Sequence, residues 1–259
     1  MRHLSLCLLS SLFLLSTLCQ AEIRECSSTE EVLNLANGKA LVIWDIDNTI
    51  LCPSQSLGSD PWFRHYHQKL KDEGVNDKDA LETAVDMLHK IYHRTRVRLI
   101  EEKTPKVIDI LQKRKLPVIA ITTRSPEVAE CTINHLASLG IDMKKGRPLH
   151  QDFEFAECCN LLFKDGVLFT TGSHKGTAFA AFLKRCDFSP SRVVFIDDKA
   201  AYLHEIEEVC AAKGIEFIGL RYSGADEIVK NFRPEVADLQ QRYFQGIVSD
   251  EIALQLLQN

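Results

Sequence analysis

The residues with the clearest chemical potential are two carboxylates, Asp45 and Asp47, in the segment Asp-Ile-Asp-Asn-Thr. They interrupt an apolar run from Leu41 to Ile46 that we interpret as a buried strand. Acids at a strand end are often turn formers, and this is a common use of such a pair taken alone. An unpaired carboxylate in a buried strand is costly, however, so its position favours a metal ion or another functional partner.

Two threonines and an arginine close the next apolar run, which extends from Pro117 to Thr122. The Thr122 hydroxyl and the backbone amide of Thr123 can hold a phosphate oxygen, with Arg124 as a further substrate-binding candidate. Polar residues before a proline also form ordinary helix caps, which is the more frequent use of such a segment on its own. The segment therefore indicates a phosphate site only in combination with other signals.

A lysine opens the helix that we predict from Lys175 to Cys186. A cation in the first turn of a helix opposes the helix dipole, so it is disfavoured unless an anion or a carboxylate compensates for it. For a lysine taken alone, an exposed surface position is the more common alternative. Lys175 is thus a candidate for contact with an anionic group.

Two adjacent acids, Asp197 and Asp198, follow the apolar run from Val193 to Ile196. Carboxylates that lie beside other carboxylates repel one another unless a cation sits among them. Oxygen-only ligands point to Mg²⁺, which takes few protein carboxylates and keeps several waters. We therefore predict that these acids belong to a magnesium site.

The candidate residues follow strands that alternate with helices along the chain. Continuous apolar runs suit a parallel sheet that is covered on both faces, so the pattern predicts an α/β, Rossmann-like fold with helices on both faces of the sheet. Ligands bind outside the carboxyl ends of the strands in such folds. The predicted strands cover residues 41–46, 117–122, 193–196 and 216–220, and the predicted helices cover residues 105–115, 126–139, 175–186 and 200–213.

The segment between residues 53 and 104 has a helical pattern without strands. Asp60-Pro61 is a good helix start, and apolar residues recur at helical spacing from Leu81 onward. We predict a small all-helical insertion at residues 53–104, over the strand ends of a core formed by residues 22–52 and 105–259. A hairpin at residues 161–170, with its turn at Asp165-Gly166, is predicted as a second interruption.

The chain begins with a segment that is typical of a secretory signal peptide. Arg2 precedes an apolar stretch from Leu4 to Leu18, and small residues lead to a predicted cleavage point near Ala21. The apolar stretch is short for a transmembrane anchor, which needs about twenty residues. We predict a signal peptide at residues 1–21 and an exported mature protein, periplasmic or secreted, without stable membrane insertion after cleavage.

Composition limits the partners of the mature chain. The 259 residues have an ordinary globular composition and a net charge of -5, which gives no general attraction to nucleic acid. Lys90, Arg94 and Arg98 are spaced for one face of a predicted helix, and we favour a solvated charged face over contact with an anionic substrate. The cysteine spacing argues against a zinc site, although one or two disulfides remain possible, and the sequence favours no particular oligomeric state.

Taken in order, the four segments resemble the motifs of the haloacid-dehalogenase-like (HAD) superfamily, and the resemblance covers nearly the whole mature chain. The chain is also similar to an uncharacterised family of exported HAD-like bacterial proteins with a helical cap after the first motif. The resemblance implies that Asp45 attacks phosphorus and that Asp47 protonates the leaving oxygen and then activates water. It further implies that Thr122 and Thr123 hold the phosphoryl group while Lys175 neutralises Asp45.

The resemblance also implies the ligands of the metal ion. Mg²⁺ would bridge the Asp45 and Asp198 carboxylates, the backbone carbonyl of Asp47 and a phosphate oxygen, which would offset the repulsion between two anions. We assign direct coordination to Asp198 and an indirect role to Asp197, and the reverse assignment stays open. The sequence departs from many relatives at Tyr202, where they carry a further acid.

These inferences predict a Mg²⁺-dependent phosphatase that hydrolyses a small phosphomonoester through an aspartyl-phosphate on Asp45, with nucleotides or sugar phosphates as the expected substrates. A phosphotransferase is a close alternative that acceptor alcohols would reveal. An exported protein that uses the fold only to bind a partner is the alternative from another class. The clustered charges of Asp45, Asp47, Lys175 and Asp198 argue against it, because a site without function has no physical need of them.

Overall fold

The computed structural model describes residues 21–155 and 160–258. It has an α/β fold with a mostly parallel central sheet flanked by helices, which confirms this part of the predicted fold class. The predicted signal peptide lies outside the described residues, apart from Ala21. Within the described part of the chain, no helix combines the length and the apolar character needed to cross a membrane.

The strands and helices have the following bounds. The strands are β1 (Ala21–Cys26), β2 (Ala40–Trp44), β3 (Leu51–Pro53), β4 (Val97–Leu99), β5 (Val118–Thr122), β6 (Phe153–Glu154), β7 (Leu162–Lys164), β8 (Val167–Phe169), β9 (Arg192–Asp197) and β10 (Glu216–Tyr222). The helices are α1 (Val32–Leu35), α2 (Asp60–Asp72), α3 (Asp77–Tyr92), α4 (Thr104–Lys113), α5 (Ala129–Ser138), α6 (Lys175–Cys186), α7 (Ala200–Lys213), α8 (Asp226–Lys230), α9 (Pro234–Arg242) and α10 (Asp250–Gln258).

The central sheet has the strand order β1-β10-β9-β2-β5-β8-β7-β6. The strands from β1 to β8 in this order are parallel, and β7 and β6 extend the sheet in the antiparallel sense. Because the carboxyl ends of parallel strands meet at one edge of a sheet, the residues after β2, β5, β8 and β9 are brought together.

The side chains of β2 show how both faces of the sheet are covered. Leu41 and Ile43 pack in a cluster with residues of α6 and α7, whereas Val42 and Trp44 pack on the other face with residues of α4 and α5. All four are fully buried. Side chains alternate between faces along a strand, so a strand buried on both sides is apolar throughout.

The predicted strands and helices of the core are present, with small differences at their ends. Helices α6 and α7 have the predicted bounds. The hairpin is correct, and its turn residues Asp165 and Gly166 both have positive φ, at 47° and 84°, as a type I′ turn requires. It is not an interruption, however, because β8 pairs with β5 in the central sheet. Strand β1, which pairs with β10, was not predicted.

The insertion differs from the prediction because it is not entirely helical. Helices α2 and α3 are joined to the core by an antiparallel ribbon of β3 and β4, in which Cys52 pairs with Arg98. Helix α3 ends at Tyr92, so Lys90, Arg94 and Arg98 do not share a helix face, and that prediction is wrong. Helix α2 also packs against α9, where Lys69 forms an ion pair with Asp238.

Candidate functional site

A tight turn after β2 places Asp45 and Asp47. The backbone N–H of Asp45 donates to the carbonyl of Ile196 at 3.0 Å, which ties this turn to the end of β9. The Ile46 carbonyl accepts hydrogen bonds from the amides of residues 49, 50 and 51, and Asn48 has a φ of 64°. Asparagine tolerates this left-handed conformation better than most residues, so the sequence Asp-Asn-Thr suits the turn.

Lys175 lies between two of the predicted acids. Its Nζ donates to Asp45 Oδ1 at 2.6 Å and to Asp197 Oδ2 at 2.7 Å, and the side chain is fully buried. Burial alone would lower the pKa of this ammonium, but Asp197 and Asp45 outweigh that effect and raise the pKa above its usual value. Lys175 is therefore charged, and three segments distant in sequence meet at its ammonium group.

The first turn of α6 is held by a residue that sequence analysis did not identify. The Glu205 carboxylate accepts hydrogen bonds from the backbone amides of Lys175 and Gly176, which compensates for the lysine at a helix N-terminus. A Cβ at Gly176 would lie 2.3 Å from the Glu205 carbonyl oxygen, so only glycine permits this approach of α6 to α7. The approach fixes where Lys175 enters the site.

Three carboxylates form the acidic centre of the site. Asp45, Asp197 and Asp198 each offer an oxygen, and these oxygens lie within 4.8 Å of one another. Burial raises the pKa of Asp45 well above its usual range although Lys175 opposes it, and burial together with Asp197 raises the pKa of Asp198 to about 7. When all three are ionised, their negative charge exceeds what one ammonium can balance, so this oxygen donor set fits a divalent cation.

The two adjacent acids have different surroundings. Asp197 is fully buried, and its other oxygen, Oδ1, accepts a hydrogen bond from the Lys199 amide at 2.8 Å. Asp198 is only partly buried and faces the cavity. Among the described residues its carboxylate accepts one hydrogen bond, a long one of 3.4 Å from Asn48 Nδ2 to Oδ2. The geometry therefore favours Asp198 as a direct ligand and gives Asp197 the role of holding Lys175.

Asp47 forms a two-pronged ion pair with Arg124. The distances are 2.9 Å from Nε and 2.7 Å from Nη2, and the guanidinium also lies 4.1 Å from the centre of the Tyr92 ring. Burial raises the pKa of Asp47, but Arg124 outweighs burial and holds the pKa below its usual range. Arg124 was predicted to bind substrate. Its side chain is 2% exposed and forms the ion pair with Asp47, so the structure favours a role in positioning Asp47 over direct contact with substrate.

The two threonines after β5 have separate positions. Thr122 is fully buried, and its hydroxyl accepts a hydrogen bond from the Arg124 amide at 3.2 Å. Thr123 lines the cavity, and its carbonyl accepts a hydrogen bond from the Gly172 amide. The predicted contact of the Thr122 hydroxyl with a phosphoryl group is therefore not favoured by the structure, whereas Thr123 borders the cavity that such a group would enter.

A cavity of about 430 Å³ lies between the strand ends and the insertion. Its floor comes from the core, and its roof comes from α2, α3 and the loop before α2. The residues of the core that line it are Asp45, Asp47, Asn48, Thr123, Arg124, Ser125, Thr171, Gly172, Asp198, Lys199 and Tyr202. The residues of the insertion that line it are Pro53, Gly58, Ser59, Asp60, Phe63, Leu81, Val85, Leu88, His89 and Tyr92.

Two further residues of the floor were not predicted as functional. Lys199 forms an ion pair with Asp60 at 3.2 Å, which links the core to the first turn of α2. Lys175 Nζ lies 4.3 Å from the centre of the Tyr202 ring. Tyr202 is the position at which the resemblance led us to expect an acid. The position of Lys199 directly after Asp197 and Asp198 was an available signal, but nothing in the sequence indicated its partner.

The fold and the site define an α/β protein in which acids from neighbouring parallel strands surround a buried lysine beneath a cavity. The chain belongs to the family described as "Protein of unknown function (DUF2608)", which it matches over residues 22–254. It is similar to proteins named "Putative outer membrane protein" in three Chlamydia species. The identity is 26% for C. trachomatis, over 82% of this chain and 80% of the relative. It is 26% for C. muridarum, over 84% and 82%, and 24% for a C. pneumoniae protein, over 95% and 96%.

Proposed function

We propose that this protein is an exported, Mg²⁺-dependent phosphatase of the HAD kind, which hydrolyses a phosphomonoester through an aspartyl-phosphate on Asp45. One observation carries the proposal: a fully buried lysine bridges Asp45 and Asp197 at the ends of adjacent parallel strands, with Asp198 open to a cavity. A purely structural role would not require three acids around one lysine, because buried charges are costly.

Asp45 is the proposed nucleophile. Burial raises the pKa of Asp45, so a divalent cation in the acidic centre would favour the ionised carboxylate that attacks phosphorus. The Lys175 ammonium at 2.6 Å also favours the ionised form and keeps one of the Asp45 oxygens in a fixed position. Asp45 and Asp198, with the backbone carbonyl of Asp47, are the residues that would hold Mg²⁺. The ion would supply positive charge that offsets the repulsion between the carboxylate and an anionic phosphate.

Asp47 is the proposed proton carrier. In the first step an oxygen of Asp45 bonds to phosphorus while the bond from phosphorus to the ester oxygen breaks. The leaving oxygen receives the proton that a phosphomonoester monoanion carries, relayed through Asp47. In the second step water attacks phosphorus, Asp47 takes the water's proton and passes it to the departing phosphate, and the Asp45 carboxylate is released. The ion pair with Arg124 keeps Asp47 ionised between the steps, so it holds each proton only briefly and passes it on.

The remaining groups position the substrate. Thr123 would hold the phosphoryl group through its backbone amide, and Lys175 would neutralise the charge that develops beside Asp45. The insertion, residues 53–104, would act as a cap that excludes water from the cavity and selects the substrate. Export is supported by the predicted signal peptide and by the names of the chlamydial relatives.

An assay of the mature protein with a panel of phosphomonoesters tests this proposal. We expect phosphate release that requires Mg²⁺ and that Asp45→Asn abolishes while the circular dichroism spectrum is unchanged. Asp109→Asn, which removes a surface carboxylate paired with Lys113, is the matched control and should retain full activity. Phosphate release by Asp45→Asn at the wild-type rate would overturn the assignment of the nucleophile.

A further inference from the structure

We infer that the substrate's alcohol part is apolar, an alkyl or aryl group, so that the protein prefers phosphomonoesters of apolar alcohols to those of sugars or glycerol. This inference rests on the proposed function, because it concerns what lies above the phosphate in the same cavity. Its basis is the contrast between a charged floor and an apolar roof.

The roof is built mainly by one face of α3. Leu81, Val85, Leu88 and Tyr92 recur every three or four residues, so their side chains lie along one side of this helix, and all four line the cavity. Phe63 of α2 adds an aromatic ring to the same surface. The face that α3 turns toward the cavity is therefore mainly apolar, with His89 as its one polar side chain among the described lining residues.

Two residues of this face have no packing partner in the protein core. Leu81 is 44% exposed, and neither Leu81 nor Val85 belongs to a hydrophobic cluster of the described residues. Both side chains border a cavity instead of open, flat surface. Apolar side chains that line a concave site gain free energy when an apolar ligand displaces water from them.

The cations of the cavity are already neutralised. Arg124 is paired with Asp47, and Lys199 is paired with Asp60. His89 contacts Ser125 at 3.0 Å, and burial lowers its pKa, so it adds no positive charge at neutral pH. Above the phosphate position, a second phosphate or a carboxylate on the substrate would meet no unpaired cation among the described lining residues.

A hydroxyl-rich alcohol would also find few partners. Ser125 and His89 already contact each other, Ser59 Oγ donates to the Ser56 carbonyl, and Asp60 is paired with Lys199. The other α3 residues of the roof are Leu81, Val85, Leu88 and Tyr92. A sugar that loses water against such a surface would leave hydroxyl groups unpaired, which disfavours binding. An alkyl chain or a phenyl ring loses no hydrogen bonds there.

The size of the preference can be estimated from the burial of methylene groups. Full burial of one methylene corresponds to about a fourfold gain in kcat/KM, and partial burial under an open roof to about twofold. The cavity of about 430 Å³ is within the usual range for small ligands, so the gain should continue over several carbons and then stop. From butyl to octyl phosphate we expect a rise of at least tenfold.

The test compares butyl, hexyl, octyl and phenyl phosphates with glycerol phosphate and ribose 5-phosphate, using the mature protein with Mg²⁺. The variant L81N/V85N makes the roof polar at the two positions that do not support the core. L256N is the matched control, because Leu256 on α10 is 45% exposed and lies outside the cavity lining. We expect L81N/V85N to lower the octyl-to-glycerol ratio of kcat/KM about tenfold, and L256N to leave it within about twofold.

The outcomes separate this inference from the proposed function. Hydrolysis of glycerol and ribose phosphates as efficient as that of octyl phosphate overturns the inference but leaves the phosphatase proposal standing. If the octyl-to-glycerol ratio of kcat/KM is unchanged in L81N/V85N, the inference that the roof binds the alcohol part is overturned. Absence of Mg²⁺-dependent hydrolysis of every ester, including phenyl phosphate, overturns the proposed function and the inference with it.

Discussion

Replacing Asp198 with asparagine should make the metal-free protein more stable at alkaline pH. The substitution keeps the size of the side chain and its contact with Asn48, but it removes one of three negative charges that lie within 4.8 Å. A buried carboxylate beside other carboxylates destabilises the fold when it is ionised. Removing the charge should therefore stabilise the fold, although it removes a proposed ligand.

The raised pKa of Asp198 sets the size of the expected difference in the free energy of unfolding. Burial and Asp197 raise this pKa from 3.8 to about 7, so the folded protein holds the proton more tightly than the unfolded chain does. The stability gained by protonation is complete below about pH 4 and is lost as pH rises through the interval to about 7. The difference corresponds to roughly 4 kcal/mol at most. Solvent screening of a partly exposed group reduces this to about 2 kcal/mol.

Urea unfolding of the wild type and Asp198→Asn in EDTA, at several values between about pH 4 and pH 8, measures this effect. We expect nearly equal free energies of unfolding near pH 4 and a variant that is more stable by about 2 kcal/mol near pH 8. Adding Mg²⁺ should reverse the order, because an ion that binds only the folded wild type stabilises it by about 2.7 kcal/mol at a hundred times its Kd. A variant less stable than the wild type in EDTA near pH 8, or a difference independent of pH, would refute the reasoning.

Two further predictions concern the buried lysine and the helix that carries it. Lys175→Met leaves Asp45 and Asp197 without their shared cation, so the free energy of unfolding in urea should fall by about 3–5 kcal/mol. Lys184→Met, at an exposed position of α6, is the control and should change the free energy of unfolding little. Gly176→Ala places a Cβ at 2.3 Å from the Glu205 carbonyl oxygen and should lower the free energy of unfolding by about 1–3 kcal/mol. Gly246→Ala, with no atom within 4 Å, is the control and should be nearly neutral. Equal effects of the two substitutions would show that α6 can move away from α7 without loss of stability.

Sequence alone was sufficient for the central part of the fold. The runs that became β2, β5 and β9 are apolar except at their ends, because both faces of the sheet are covered. Polar residues directly after such runs lie at the carboxyl edge of a parallel sheet, which is why Asp45, Asp47 and Asp198 were expected to converge. The position of Lys175 beside Asp45 was expected from the resemblance. Strand β1 was missed because only one of its six residues is buried, so it lacks the apolar run of the inner strands.

The partners of individual side chains could not be predicted in the same way. Arg124 follows β5 at the edge of the site, and this position led to its prediction as a substrate ligand. Whether its guanidinium contacts Asp47 or a substrate depends on how the side chain packs against the Tyr92 ring. The pairing of Lys199 with Asp60 depends on how the insertion lies over the core. Such contacts are set by tertiary structure and leave no periodic signal in the sequence.

The ribbon of β3 and β4 shows a similar limit. Each strand has three residues, which is too short for a period-two pattern to be recognised. The ribbon forms because the chain leaves the core and returns to it at neighbouring points, so Leu51 and Leu99 meet. The helical pattern of α2 and α3 dominates the sequence between β3 and β4, so the two short strands are not recognised.

Trapping of a covalent phosphoenzyme tests the central claim most directly. The mature protein would be mixed with Mg²⁺ and a substrate from the active panel, quenched in acid, and reduced with borohydride, which converts an aspartyl-phosphate into homoserine. We predict that peptide mass spectrometry finds homoserine at position 45, and that omission of the substrate abolishes it. Homoserine at another aspartate, together with unimpaired turnover by Asp45→Asn, would contradict the account.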